Sequence, residues 1–206
     1  MKYDKKCQLL IVGNSAVGKS SILRRFAQDK FNSNYFATIG IDFFTKDVIL
    51  DNKIIHIKMW DTAGQERYKA LTQGFFRNAQ GLMIVYDVKN KESFDDLKYW
   101  IQSIENNINT QNKNIPAIII GNKIDLNERE VDKNEAEQFA KSKNYTYFEV
   151  SAKSGQGIDE SIKYLIKKVI EEVDKNGEQK KKSIVINNED EKNKDKSKKI
   201  NCCDKK

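Results

Sequence analysis

The chain has 206 residues, 38% of them hydrophobic, and its 37 Lys and Arg against 30 Asp and Glu give a formal net charge of +7. That length suits one domain with an extension, and no apolar run approaches the roughly 18 residues of a membrane helix. Three cysteines, Cys7, Cys202 and Cys203, exclude a disulfide framework and a four-ligand zinc site, and Lys2 behind Met1 excludes N-myristoylation.

The start carries no signal-peptide core; Leu9–Val12 reads as a buried strand and Lys19 to about Gln28 as a helix. Thr45–Leu50 and Ile54–Asp61 flank Asp51-Asn52-Lys53 as the arms of a hairpin, and Ile55, Ile57 and Met59 alternate with His56 and Lys58. Leu82–Tyr86 and Ala117–Ile120 are apolar on both sides, as strands of a covered parallel sheet are. Phe94, Leu97, Ile101 and Ile104 have helical spacing, followed by a weaker helix over Glu135–Lys141 and a strand over Tyr147–Val150. Ile158, Ile162, Leu165, Ile166, Val169, Ile170 and Val173 form one stripe over four helical turns. The order predicts an α/β fold: a six-stranded, mostly parallel sheet with one antiparallel edge strand and helices on both faces.

Composition changes near residue 174. Of the 33 residues from Asp174 to Lys206, eleven are Lys and seven acidic, none is aromatic, and Ile184-Val185-Ile186 is the one apolar cluster. Such a segment cannot offset its ordering entropy by burial, so 1–173 is read as the folded domain and 174–206 as a disordered tail. The net +3 left on 1–173 is too weak a field to argue for nucleic acid.

In a parallel sheet the ligand site lies beyond the carboxyl ends of the strands, and four motifs stand there. Gly13-Asn14-Ser15-Ala16-Val17-Gly18-Lys19-Ser20 is GxxxxGKS between a strand and a helix. Its glycines turn backbone N–H groups toward phosphate oxygens, with Ser21 in the first helical turn; Lys19 reaches the β- and γ-phosphates and Ser20 offers a hydroxyl to Mg²⁺. Asp61-Thr62-Ala63-Gly64-Gln65-Glu66 follows the third strand: Asp61 can hold the Mg²⁺ shell, Gly64 can offer an N–H to the terminal phosphate, and Gln65 can orient a water. Asn122-Lys123-Ile124-Asp125 supplies a carboxylate suited to guanine N1–H and N2 amine, a donor pair adenine lacks. Asn122 can meet the Hoogsteen edge and the Lys123 stem can cover the ring. In Ser151-Ala152-Lys153 the Ala152 N–H can meet guanine O6.

Together these residues resemble the Ras superfamily of small GTPases and, within it, the Rab family. The resemblance covers about Lys6 to Val173 and the terminal cysteines. Its Rab-like stretches are Ile39-Gly40-Ile41-Asp42-Phe43, Trp60 through Tyr68, and Phe75-Phe76-Arg77-Asn78-Ala79-Gln80-Gly81. It implies the three-layer P-loop NTPase sandwich, GTP and GDP as substrate and product, and Mg²⁺ as cofactor. It implies that Thr38 joins Ser20 and Asp61 on Mg²⁺ and contacts the γ-phosphate, that Phe31 lies edge-on to the guanine, and that Phe43, Trp60 and Phe75 form an aromatic triad read by effectors. Cys202 and Cys203 are then geranylgeranylated through an escort protein, with Ile184–Ile186 as a grip for escort and extraction proteins. An exchange factor, a GTPase-activating protein, a GDP-dissociation inhibitor and effectors are the implied partners. The implied setting is the cytoplasmic face of intracellular membranes in vesicle transport, with a monomer cycling through cytosol. Two other readings share the fold: a GTP-binding module that scarcely turns its nucleotide over, and an ATP-using P-loop kinase. The set Lys19, Ser20, Thr38, Asp61 and Gln65 argues against the first and the Asn122–Asp125 motif against the second.

Overall fold

The continuous apolar runs Leu9–Val12, Leu82–Tyr86 and Ile118–Ile120 become strands buried on both sides of the pleat, and the computed structural model describes residues 3–33, 38, 40–62, 76, 78–108 and 115–176. The chain divides into two units, Met1–Val169 and Ile170–Lys206; the described part of the second is helical. The elements are β1 (Lys5–Val12), α1 (Lys19–Gln28), β2 (Ile41–Leu50), β3 (Lys53–Thr62) and β4 (Gly81–Asp87). After these come α2 (Lys91–Asp95), α3 (Leu97–Ile108), β5 (Ala117–Asn122), α4 (Lys133–Ser142), β6 (Thr146–Val150) and α5 (158–176).

The six strands form one sheet in the order β2-β3-β1-β4-β5-β6. Among the described residues only the β2–β3 pairing is antiparallel, so β2 is the antiparallel edge and the fold is the predicted one. The hairpin turn is tighter than the sequence suggests. Asp51 and Asn52 alone make it, with φ of 48° and 59°, and Lys53 already pairs with Leu50 in β3. Two left-handed residues in succession match the twist of the flanking strands, and Asp and Asn tolerate that conformation better than most side chains.

One face of the sheet carries Leu10, Val12, Leu82, Ile84, Tyr86 and Ile119, packed with Phe94, Leu97, Trp100, Ile101, Ile104, Ala136 and Ala140 of α2, α3 and α4. The alternate residues Leu9, Ile11, Met83 and Ile118 are as completely buried toward the other face. There α1 packs against β2 and β3, and a Cβ on Gly81 would meet Leu9, Leu165 and Val169 at 2.7–3.3 Å. The stretch read as one helix from Phe94 to Ile104 is two. Asn90 caps α2 by accepting the Ser93 N–H (2.7 Å), and Asp96 separates α2 from α3. Asp132 likewise caps α4, accepting N–H groups from Asn134 and Glu135.

Candidate functional site

Parallel pairing brings the carboxyl ends of β1, β3, β5 and β6 to one edge, and the segments that leave them meet there. After Val12 the chain turns through Gly13, Ala16 and Gly18, at φ 141°, 63° and 97°, before α1 begins at Lys19. Space forbids side chains as firmly as dihedral angle does. A Cβ on Gly13 would lie 2.1 Å from the Val85 carbonyl oxygen, and one on Gly18 2.3 Å from Asn122 Nδ2. Gly18 caps α1 without a side-chain hydrogen bond, so the first-turn N–H groups and the positive helix end are left to a ligand. Val17 is buried, whereas Ser15 and Ala16 are exposed on the outside of the turn.

Lys19 is only 5% exposed. Its Nζ donates to the carbonyls of Gly13 (2.9 Å) and Asn14 (2.7 Å), which holds the ammonium across the loop. Burial lowers its pKa from 10.5 to about 8, against the opposing pull of Asp61. Ser20 Oγ lies 2.8 Å from Thr38 Oγ1, so the segment before β2 is bonded to the first turn of α1. Asp61, at the end of β3, is 2% exposed. Burial raises its carboxyl above the ordinary carboxylate range, while a hydrogen bond with Ser20 and the Lys19 charge oppose the shift. Its Oδ1 has no hydrogen-bond partner among the described residues. A buried carboxylate oxygen left unpaired is costly. With the hydroxyls of Ser20 and Thr38 it makes a set of hard oxygen donors that fits Mg²⁺.

Beside this cluster opens a pocket of about 240 Å³ lined by Gly18, Ser21, Phe31, Ser33, Asn122, Lys123, Asp125, Leu126, Ala152 and Lys153. Its walls are tied to each other. Asn122, 1% exposed, donates from Nδ2 to the Val17 carbonyl (2.8 Å) and accepts the Ala152 N–H at Oδ1 (3.2 Å). The sequence reading aims that N–H at guanine O6; here it binds the β5 and β6 loops together. Asp125 is exposed, and its Oδ1 accepts from Ser151 Oγ at 2.5 Å, while Ser151 Oγ in turn accepts the Ser154 N–H. Lys123 adopts φ 71° and pairs through Nζ with Asp87 Oδ2 at 2.6 Å.

Several supporting residues carry no sequence signature. Arg25 of α1 donates to the carbonyls of Ala152 (3.0 Å) and Lys153 (2.7 Å) and pairs with Asp29 (3.0 Å). Asn14 is held from both ends, giving Nδ2 to Asp96 (2.7 Å) and accepting Trp100 Nε1 (2.8 Å). Of the residues read as an aromatic triad, Phe43 is 50% exposed and meets the half-buried Trp60 edge-on, with ring centres 5.5 Å apart. Gly64, Gln65, Phe75, Cys202 and Cys203 lie outside the described residues.

Residues 8–171 match the model of the Ras family. The chain is similar to Ras-related protein Rab-13 of Rattus norvegicus, at 39% identity over 169 residues that make up 82% of each chain. It is similar to Ras-related protein Rab-8B of Homo sapiens, at 42% identity over 161 residues, covering 78% of this chain and 76% of that one. A stretch of EF-hand calcium-binding domain-containing protein 4B of Homo sapiens is 41% identical over 172 residues, which is 83% of this chain but 23% of that longer protein.

Proposed function

The chain belongs to the Ras family, as a Rab small GTPase of vesicle traffic, and from that premise we propose how its own residues carry the cycle of GTP binding and hydrolysis. The observation that carries the assignment of roles is the convergence of Lys19, Ser20, Thr38 and the unpaired Asp61 oxygen at the mouth of a glycine turn beside a base-sized pocket.

Lys19 places its ammonium over the β- and γ-phosphates, giving up carbonyl partners for phosphate oxygens. Backbone N–H groups from Gly13 through Ser21 complete the cradle. Ser20, Thr38 and Asp61 would hold Mg²⁺, which supplies charge compensation on the β- and γ-phosphates. Asp125 accepts the N1–H and N2 amine of guanine, oriented by Ser151, while Phe31 stands edge-on to the base and the Lys123 stem covers the ring. Gln65 orients the water that attacks the γ-phosphorus in line, and Gly64 with Thr38 bonds the γ-phosphate. Loss of that phosphate releases both contacts, which is the switch. No arginine of this chain is assigned to the transferring phosphoryl group, so intrinsic turnover is slow and an activating protein supplies the arginine, a factor on the order of 10³–10⁵.

The tail, on this reading, is a tether. Geranylgeranyl chains on Cys202 and Cys203 give the two anchors that stable membrane attachment needs. An escort protein presents the chain for lipidation and a GDP-dissociation inhibitor returns it to the cytosol, so that it cycles on cytoplasmic membrane faces between exchange factor, effectors and activator.

Single-turnover phosphate release from purified protein tests the reading, with GTP consumed and ATP failing to compete. Asp125→Asn should weaken guanine nucleotides and accept xanthine nucleotides, because an amide pairs with the N1–H and O2 that xanthine presents. Equal competition by ATP would overturn the guanine assignment. Tagged wild-type protein should mark membranes and a Cys202→Ser/Cys203→Ser variant should be diffuse; identical distributions would sink the tether.

A further inference from the structure

Sheet faces are covered by other elements, most often helices. The face bearing Leu10, Leu82, Ile84 and Ile119 is covered in this way by α2, α3 and α4. Toward the β2 edge the same face continues as a strip of outward side chains. Register sets its pairs: Phe43 stands opposite Trp60, Thr45 opposite Lys58, and Gln8 of β1 beside Lys58. The helix that packs on β2 and β3, α1, lies on the opposite face, where Lys46 Nζ donates to the Phe26 carbonyl (2.5 Å). Phe43 is left half exposed.

The charge of the strip is one-sided. Lys58 Nζ lies 4.1 Å from the centre of the Phe43 ring and 3.9 Å from that of Trp60. On the neighbouring strand Lys6 Nζ lies 5.1 Å from the centre of the Tyr3 ring. The strip's own carboxylate, Asp47, is engaged by His56 Nδ1 at 2.6 Å. Neither lysine has a carboxylate partner among the described residues. A cation held on aromatic faces stays at the surface where a partner must dock, instead of trailing into solvent. An apolar side chain that seats on Phe43 and Trp60 therefore begins to desolvate Lys58. A carboxylate beside that side chain offsets the cost, and a second cation adds to it.

We propose that Lys58 is the selectivity residue of this surface, and that the surface takes an acidic amphipathic helix, its apolar side chain on Phe43 and Trp60 and its carboxylate on Lys58. Such a helix would extend the layer that α2, α3 and α4 already form on that face. The proposal rests on the effector role given to Phe43 and Trp60.

The test is a displayed library of amphipathic helical peptides, randomised around fixed leucines and selected on full-length protein loaded with a non-hydrolysable GTP analogue. A parallel selection uses Lys58→Glu. The wild type should enrich Asp and Glu, and Lys58→Glu should enrich Lys and Arg. In fluorescence anisotropy the best acidic peptide should bind Lys58→Glu roughly three- to tenfold more weakly. Lys58→Met, which keeps the stem over the rings, should lose the acidic preference while still binding the leucine face, and Phe43→Ala should lose both. Equal acidic content in the two selections, or no enrichment on the wild type, overturns the proposal. Phosphate release measured on the same purified protein reloaded with GTP separates the two failures: absent release sinks the GTPase reading, whereas intact release with unchanged selections sinks only the role of Lys58.

Discussion

The two ends of the candidate site are built on opposite principles. At the phosphate end, strained turns and burial keep polar groups short of partners: among the described residues Asp61 Oδ1 is unpaired, Gly18 caps α1 with no side-chain bond, and Lys19 Nζ bonds to the carbonyls of its own loop. At the base end the walls bond to one another through Asn122, Ser151 and Arg25, and the exposed Asp125 carboxylate reaches out. The first end holds its free energy back for a charged ligand; the second spends hydrogen bonds on shape before any ligand arrives.

Removing a group from each end, and from the joint between them, tests that contrast. Lys19→Met should be the most damaging change, weakening GDP by roughly 3–5 kcal/mol as phosphate charge is left uncompensated in a buried site; titration of a fluorescent GDP analogue measures it. If the loss is below tenfold, the phosphate end does not depend on a held charge. Asn122→Ala strikes the joint, since its two side-chain atoms tie Val17 to Ala152. We expect about 2–3 kcal/mol of lost stability, and faster GDP release at the same time. A fall in Tm with unchanged release would mean the ends are independent. Arg25→Ala removes two bonds to the 152–153 carbonyls and should speed GDP dissociation by roughly tenfold, with nucleotide-free Tm moving less than for Asn122→Ala. Arg25→Lys, which cannot serve both carbonyls in one plane, should fall between the wild type and Arg25→Ala.

The smallest effect is a protonic one. Burial sets Lys19 at about 8 in the folded chain against 10.5 for an ordinary lysine. The folded state without nucleotide therefore sheds this proton first. The Lys19 contribution to stability is least favourable below pH 8 and improves as pH rises from about 8 toward 10.5. Phosphate oxygens favour the ammonium, so GDP binding near pH 9 should take up a proton. Calorimetry in buffers of different ionisation enthalpy reads that uptake, and its absence in the wild type would remove Lys19 from the phosphate.

The fold was legible because period-two and continuous apolar runs such as Leu82–Tyr86 have few other uses. What escaped was local chemistry that periodicity does not see. Lys53 belongs to β3 because two left-handed residues suffice for the turn, and Asp96 divides what looks like one helix. The site divides in the same way. Its glycines and Asn122–Asp125 stand next to strand ends and are visible as motifs. Arg25, Asn14, Asp96 and Trp100 are not, since their bonds join residues 82 to 128 positions apart and nothing local marks an arginine on one helix as a clamp on a distant loop.

The two-residue turn at Asp51–Asn52 also acts as a ruler. β3 is pinned to β1, whereas β2 is an edge strand that, among the described residues, pairs with β3 alone. Phe43 faces Trp60 because seven further residue pairs are counted back from Leu50 opposite Lys53. A register slip of one residue at the turn, ~24 Å away along the ribbon, would carry Phe43 to the α1 side. The side of the sheet on which Phe43 stands is thus set seven residue pairs away, at the turn.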